Sequence, residues 1–371
     1  MRKEKNMTLS EKICQDINRK FYFDDFVLTN LYYMKDGIKM EICDGLIEFE
    51  DIYIVIQIKE RQGTADKNEK WLEKRVYKKA VSQIKDTIKV LHEQPNLEVQ
   101  DMYSQSVEID NTKQILPVII FRNENISDYT KVYHSNTQDI NINVFSEQDY
   151  EKMMTILEMP IDIVDYLKTR EELFNKGNFN FIIDDSEDCW LSMARIENEE
   201  DIANYFLAKQ IKDNSYNDGA VKDFLGIIQK YYSRRTNNNK EYKQILNRML
   251  RFDRFGAELF MERWITSWEN AKNGIFNFLC HIVGENKFEK FGFLFISTKK
   301  GIKEDSEKFY KYITNLFMQQ YHLDTAITII SYYEGNGNYF VNWLMMSKPF
   351  KEDIEIQKFL KENNPWKYVL K

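Results

Sequence analysis

Between Glu41 and Lys59 the chain reads as two strands joined by a tight turn at Glu50-Asp51. The second strand, Ile52 to Ile58, is a run of β-branched and aromatic residues interrupted only by Gln57, the pattern of a strand covered on both faces. With a two-residue turn, opposed residues have numbers that sum to a constant. Asp44 then lies across from Gln57, and Ile42 across from Lys59. Successive side chains alternate between faces, so one face carries Asp44, Gln57 and Lys59. The other carries Cys43, Gly45, Ile47, Ile54, Ile56 and Ile58. A carboxylate, an amide and an ammonium gathered inside an apolar sheet are costly unless they are used.

Around this hairpin the pattern predicts a mixed sheet with helices. Thr8-Leu-Ser-Glu11 is a capping box that opens a helix running to about Lys20. Phe26 to Met34 reads as a strand, and Lys35-Asp36-Gly37 as a turn. After a polar loop, Asn68 to Leu91 reads as one long amphipathic helix that buries Leu72, Val76, Ala80, Ile84, Ile88 and Leu91. Lys74, Lys78, Lys85 and Lys89 form a second row, and Gln83 borders the apolar one. Leu116 to Phe121 and Ile140 to Phe145 read as strands; Ser146 to Leu157 and Asp162 to Phe174 read as helices. Gly177-Asn178 breaks the pattern before an acidic run at 184–188. These features place a first domain over residues 1–170 and a second over 180–371.

The second domain begins with helical periodicity over Glu199–Lys212, Gly219–Ser233 and Lys240–Lys272. A basic loop, Arg234 to Lys240, interrupts it, and Arg248, Arg251 and Arg254 follow with Phe252 and Phe255 interleaved. Arginine with aromatics can bind nucleic acid, although solvated arginines beside core phenylalanines make the same pattern. Phe291–Ser297 and Ala326–Tyr332 read as strands with a helix, Ser306–Gln320, between them. Glu334-Gly-Asn-Gly-Asn338 turns the second strand into a hairpin with Tyr339–Met346. The expected fold is α/β followed by a mostly helical α+β domain.

Composition narrows the class. The 371 residues are 43% hydrophobic and 14% aromatic, with five prolines and thirteen glycines, enough for both domains to form cores and the composition of a folded rather than a disordered or low-complexity chain. The net charge of −7 does not advertise nucleic-acid binding, but grouped basic residues can still supply it. Four scattered cysteines and four histidines show no metal-ligand spacing. With no secretory signal, the thiols point to a reducing cytoplasm. No apolar run approaches a membrane span.

Asp44, then Gln57-Ile58-Lys59 at the end of a hydrophobic strand, resembles the active-site core of the PD-(D/E)XK nuclease superfamily, in the Gln-x-Lys variant of Mrr-like restriction endonucleases. The resemblance spans roughly the first 150–170 residues, about one domain. It implies a restriction-endonuclease-like mixed central sheet flanked by helices. It implies Mg²⁺ or Mn²⁺ held by Asp44, Gln57 and the Ile58 backbone carbonyl, with Lys59 assisting an attacking water. Glu11 is a further candidate ligand, because first-helix acids reach the metal in some relatives; closing the capping box is its simpler role. Gln83 is an accessory candidate, and the Lys74, Lys78, Lys85 and Lys89 row a candidate phosphate contact, against the simpler reading of a solvated helix face. Two positions depart from the family pattern. Cys43 stands where the family has proline, and Gln57 replaces an acid, removing one negative charge. The implied function is metal-dependent hydrolysis of DNA, more naturally double-stranded, in restriction or antiviral defence. The alternatives are a nuclease-fold binding module with weak or no catalysis, and an RNA-cleaving nuclease. The second domain is a candidate surface for a protein partner, and a dimer is among the open assemblies.

Overall fold

The computed structural model describes residues 7–49, 51–63, 68–94, 97–103, 106–126, 129–135, 139–175, 198–210, 226, 239–283, 290–298 and 304–363. The acidic run at 184–188, Cys189, nearly all of the expected helix Gly219–Ser233 and most of the basic loop at 234–240 lie outside them. The chain divides into two compact units; the described residues up to 210 fall in the first, and those from 239 onward in the second.

In the first unit, α1 (Leu9–Tyr22) starts from the expected capping box: the Thr8 hydroxyl accepts from Glu11 N–H, and the Glu11 carboxylate accepts from Thr8 N–H. A meander of β1 (Val27–Lys35), β2 (Ile38–Phe49) and β3 (Ile52–Arg61) follows. Asp36 and Gly37 turn β1 into β2 with φ of +50° and +77°, the signs a type I′ hairpin turn requires. The chain then forms α2 (Asn68–Trp71), a π-helical stretch (Leu72–Ala80) and α3 (Val81–Glu93). After β4 (Glu98–Gln100) and β5 (Ser106–Glu108) come β6 (Gln114–Asn123), β7 (Thr130–Ser135) and β8 (Ile140–Ser146). The unit closes with α4 (Glu147–Leu157), α5 (Pro160–Asn175) and α6 (Glu199–Gln210).

These strands form one mixed eight-stranded sheet in the order β5-β4-β1-β2-β3-β6-β8-β7. β3 runs parallel to β6, and β6 to β8; the crossover from β3 carries α2, the π-helical stretch and α3, and the one from β6 passes through the edge strand β7. On one face Val76, Ala80, Ile84, Ile88 and Leu91 pack with Leu46, Tyr53, Val55 and Ile119. On α1 and α4, Asn18 and Tyr150 are joined by a 2.7 Å hydrogen bond.

The single α-helix expected over Asn68–Leu91 is corrected by the π-helical stretch. Its apolar positions, half-buried Leu72 and buried Val76, Ala80, Ile84 and Ile88, recur every four residues. A four-residue repeat drifts about 40° per step around a helix of 3.6 residues per turn. Wider π turns over Leu72–Ala80 offset that drift and keep the row on the sheet. The periodicity did not reveal β4 and β5, which have three residues each, or β7, whose Thr-Lys-Val-Tyr-His-Ser is mostly polar. The sequence assigns α6 to the second domain, but it packs with α4 and α5 of the first unit.

In the second unit, one expected helix over Lys240–Lys272 is two, Asn239–Met249 and Arg254–Lys272. The break falls where the Asp253 side chain accepts from Gly256 N–H and caps the second helix. A four-stranded sheet follows the order β12-β11-β10-β9, built from β9 (Asn277–Val283), β10 (Phe291–Thr298), β11 (Thr325–Gly335) and β12 (Asn338–Ser347). β9 is a strand the pattern did not disclose. β10 and β11 are parallel, with the helix Glu304–Tyr321 as crossover, and β11–β12 is the expected hairpin. Helices cover both faces. Phe293 and Phe295 meet Phe260 of the helix Arg254–Lys272 at ring distances of 5.0 and 5.2 Å. Leu294 and Ile296 cluster with Ile313, Leu316 and Phe317 of the crossover helix. Among the described residues, no helix is long and apolar enough to cross a membrane.

Candidate active site

The β2–β3 hairpin has the register that the two-residue turn requires. Phe49 pairs with Ile52, Glu48 with Tyr53, and so on to Gly45 with Ile56, where the pairing ends. One alternation further, at the Cys43/Ile58 position, the strands have parted. The Ile58 N–H donates to the Asp44 Oδ2 carboxylate at 2.7 Å. Asp44 thus ends the ladder, and its side chain bridges the opening. β3 changes character at the same point: Ile52 to Gln57 are buried, and Ile58 to Arg61 only half-buried.

Ile42 is the second local irregularity. β1 pairs Leu31 with Cys43 and then Tyr32 with Glu41, so Ile42 is an extra residue, a bulge. Its carbonyl is taken by side chains, accepting from Thr87 Oγ1 of α3 at 2.5 Å and from Gln57 Nε2 at 3.5 Å. That pairing orients the Gln57 amide. With Nε2 committed to Ile42, Oε1 faces Lys59, whose Nζ donates to it at 3.3 Å.

Lys59 completes the cluster. Its ammonium also donates to the Ile58 carbonyl at 2.8 Å and lies 3.6 Å from Asp44 Oδ2. The carboxylate, amide oxygen and carbonyl assigned to a metal by the resemblance therefore surround one point, and a lysine nitrogen stands there. All three are hard oxygen donors of the kind Mg²⁺ and Mn²⁺ take, and the ammonium marks where a cation fits, so the donor set suits such an ion. Among the described residues, no group of three or more His, Cys, Asp or Glu is placed to hold a metal; this site has one carboxylate and two neutral oxygens.

The remaining candidates lie at different distances from this cluster's chemistry. The Glu11 carboxylate closes the capping box, accepting from Thr8 N–H at 2.8 Å. Burial pushes the Cys14 thiol well up, and the charges of Glu147, Asp44 and Glu11 push it further. Gln83 lies on α3 one turn before Thr87, with a buried Oε1 that has no hydrogen-bond partner among the described residues. The lysine row is not one α-helical face, because Lys74 and Lys78 sit on the π-helical stretch and Lys85 and Lys89 on α3. Lys74, Lys78 and Lys89 are exposed and Lys85 half-buried. Lys78 pairs with Glu73 at 2.7 Å, and Lys89 with Glu93 at 4.0 Å.

Sequence reasoning missed Thr87, the Ile42 carbonyl and Glu60. Thr87 had a signal, a hydroxyl three residues after Ile84 on the buried stripe. The Glu60 carboxylate accepts from Ser10 N–H at 3.1 Å and from Gln62 Nε2 at 3.3 Å, fastening the start of α1 to the end of β3. Burial pushes the Glu60 carboxyl up, but hydrogen bonds from Ser10, Gln62 and Thr8 outweigh it and leave it below its ordinary value.

No protein-family model, curated protein or solved structure matches this chain.

Proposed function

We propose that the first unit is a restriction-endonuclease-like domain that hydrolyses DNA phosphodiester bonds, with Asp44, Gln57, the Ile58 carbonyl and Lys59 as its site. The observation that carries this reading is the convergence of three oxygens and one ammonium where β2 and β3 part and β3 reaches the surface. A resting structural cluster does not need a bulge, an interrupted ladder and a helix hydroxyl to hold it open. Asp44, Gln57 and the Ile58 carbonyl would hold Mg²⁺ or Mn²⁺, which supplies Lewis-acid stabilisation of charge on the phosphodiester. Thr87 and the Ile42 carbonyl keep the Gln57 oxygen aimed at the site. Lys59 places a positive charge beside oxygens that become more negative in the transition state, and such preorganised charge acts on kcat. Lys74, Lys78, Lys85 and Lys89 are then phosphate contacts along the duplex.

A binding module is the second reading. It is favoured by the same Lys59, which neutralises Asp44 and satisfies the oxygens with no ion present. The test is plasmid nicking with Mn²⁺ and Mg²⁺, with a structured RNA run beside it. The unaltered protein should nick plasmid, and Lys59→Ala should lose about 10²–10³ in rate with an unchanged melting temperature. If Lys59→Ala cuts equally well, the site is elsewhere. If neither protein cuts DNA, the binding module stands, and cutting of RNA alone moves the substrate. Replacing all four row lysines by Gln should lower the slope of log affinity against log salt by about 0.9 for each lost phosphate contact; an unchanged slope returns the row to solvent.

A further inference from the structure

The four atoms at the site carry a charge balance that Gln57 creates. Asp44 contributes one negative charge and Lys59 one positive charge, and the Gln57 and Ile58 oxygens are neutral. Taken by themselves, these four groups carry no net charge. The Lys59 nitrogen is 2.8 Å from the Ile58 carbonyl, 3.3 Å from Gln57 Oε1 and 3.6 Å from Asp44 Oδ2. A divalent ion brought to the same oxygens with the ammonium in place would meet a like charge at contact distance. In a site this buried, with the Lys59 and Asp44 side chains 14% and 7% exposed, water screens that repulsion poorly.

We infer that Lys59 is the resident cation of its own site: it must leave the Asp44, Gln57 and Ile58 oxygens before they can hold a divalent ion, and a nucleic-acid phosphate is the anion that draws it off. This rests on the nuclease reading and adds a regulation to it. Lys59 can make the move. Its ammonium is a compact charge on a flexible four-carbon stem, and its backbone lies in the half-buried end of β3. The neighbouring acid on the strand does not draw it away, because the Glu60 carboxylate is engaged by Ser10 and Gln62. A phosphodiester reaching the strand end offers the ammonium a new anion and frees the oxygens in the same step. Metal and nucleic acid then bind cooperatively, and linkage makes that cooperativity reciprocal. The protein without nucleic acid stays largely metal-free.

The experiment is Mn²⁺ binding, followed by calorimetry and electron paramagnetic resonance, with and without a short DNA duplex. Lys59→Met keeps the apolar stem and removes the charge, and Lys59→Gln keeps a polar end. Without DNA, both variants should bind Mn²⁺ about tenfold more tightly than the unaltered protein, within the usual range of coupling between sites. The duplex should tighten Mn²⁺ binding to the unaltered protein by about tenfold more than it does for either variant. Cleavage does not erase this readout, since the products keep their phosphates. Thermal melts verify that each variant is folded. Equal Mn²⁺ affinity for unaltered and Lys59-substituted proteins overturns the resident-cation proposal and leaves the metal-site reading standing. If no protein binds Mn²⁺ with or without DNA, or if Asp44→Asn binds it as tightly as Lys59→Met, both fall.

Discussion

Two cation–carboxylate clusters of the first unit, Arg170–Glu199 and Lys59–Asp44, differ in what surrounds them. Arg170 of α5 and Glu199 of α6 are sealed, with both side chains 0% exposed and 3.0 Å between Nη2 and Oε2. Arg170 also donates to Asn143 Oδ1 at 2.9 Å and to the Lys131 carbonyl at 3.2 Å, and its guanidinium lies 3.8 Å from the Phe145 ring centre. Thr130 and Tyr166 hydroxyls close on the Glu199 carboxylate. Every element in that cluster is fixed by another. Lys59 and Asp44 have the same kind of charges at 3.6 Å, but at the surface end of a parted strand pair. The sealed pair has no route to exchange partners, whereas the open pair does. Full burial with a planar guanidinium held by several acceptors makes a clasp. Partial burial with a flexible ammonium leaves a site.

The largest expected effect tests the clasp. Glu199→Ala leaves the Arg170 guanidinium buried without its carboxylate, and breaking a buried pair costs about 3–5 kcal/mol. Denaturant unfolding should show that loss. Arg170→Met combined with Glu199→Leu should recover most of it, because matched apolar replacements of a buried pair are often near neutral. Lys59→Met at the open pair should change unfolding by far less, since Asp44 keeps the Ile58 N–H. If Lys59→Met and Glu199→Ala destabilise equally, the contrast between clasp and site is lost.

Gln57→Glu sharpens the comparison at the open cluster. By ligand charge alone, a carboxylate at position 57 binds a divalent ion more tightly than an amide. The bulge adds an opposing effect. Glutamate has no N–H for the Ile42 carbonyl, and one of its oxygens would face that carbonyl. The loss of one hydrogen bond is worth about 1 kcal/mol. Without metal, Gln57→Glu should be less stable than the unaltered protein by about that much, and Mn²⁺ should more than restore it. Stability unchanged in the absence of metal would show that the 3.5 Å bond to Ile42 does not orient the amide.

The two clusters also show what the sequence could disclose. Asp44, Gln57 and Lys59 fall within one hairpin, so a turn length and a two-residue alternation place them on one face. Arg170 and Glu199 are separated by 29 residues, and Thr130 and Glu199 by 69; no periodicity relates them. The helix after β3 was legible as an apolar row but not as a π stretch, because its four-residue repeat reads as ordinary amphipathicity until the drift is summed. The Ile42 bulge was invisible for a related reason. A bulge belongs to the pairing of two strands, and β2 alone, Ile38 to Phe49, carries no mark of where β1 skips a residue.

Glu60 gives the smallest predicted effect, one that separates a hinge from a ligand. It follows Lys59 directly, yet alternation sends it to the opposite side of β3, where it holds the Ser10 N–H at the start of α1. Its carboxyl lies below its ordinary value in the folded protein: burial raises it, and the hydrogen bonds from Ser10, Gln62 and Thr8 lower it more. A depressed folded value means the stabilisation is present above the unfolded carboxylate pKa of about 4.3. It is lost as pH falls below that value through the lower, folded one. The carboxylate is only half-buried, and solvent screening keeps the contribution below about 0.5 kcal/mol. Global unfolding is too coarse a measure for it. The protection factor of the Ser10 amide, its exchange relative to an unstructured peptide at the same pH, should fall as the pH falls through this window, and Glu60→Gln should show the low protection throughout. Protection that stays high at every pH in Glu60→Gln would show that the capping box alone anchors α1. Mn²⁺ binding that weakens in Glu60→Gln would move Glu60 from the hinge into the site.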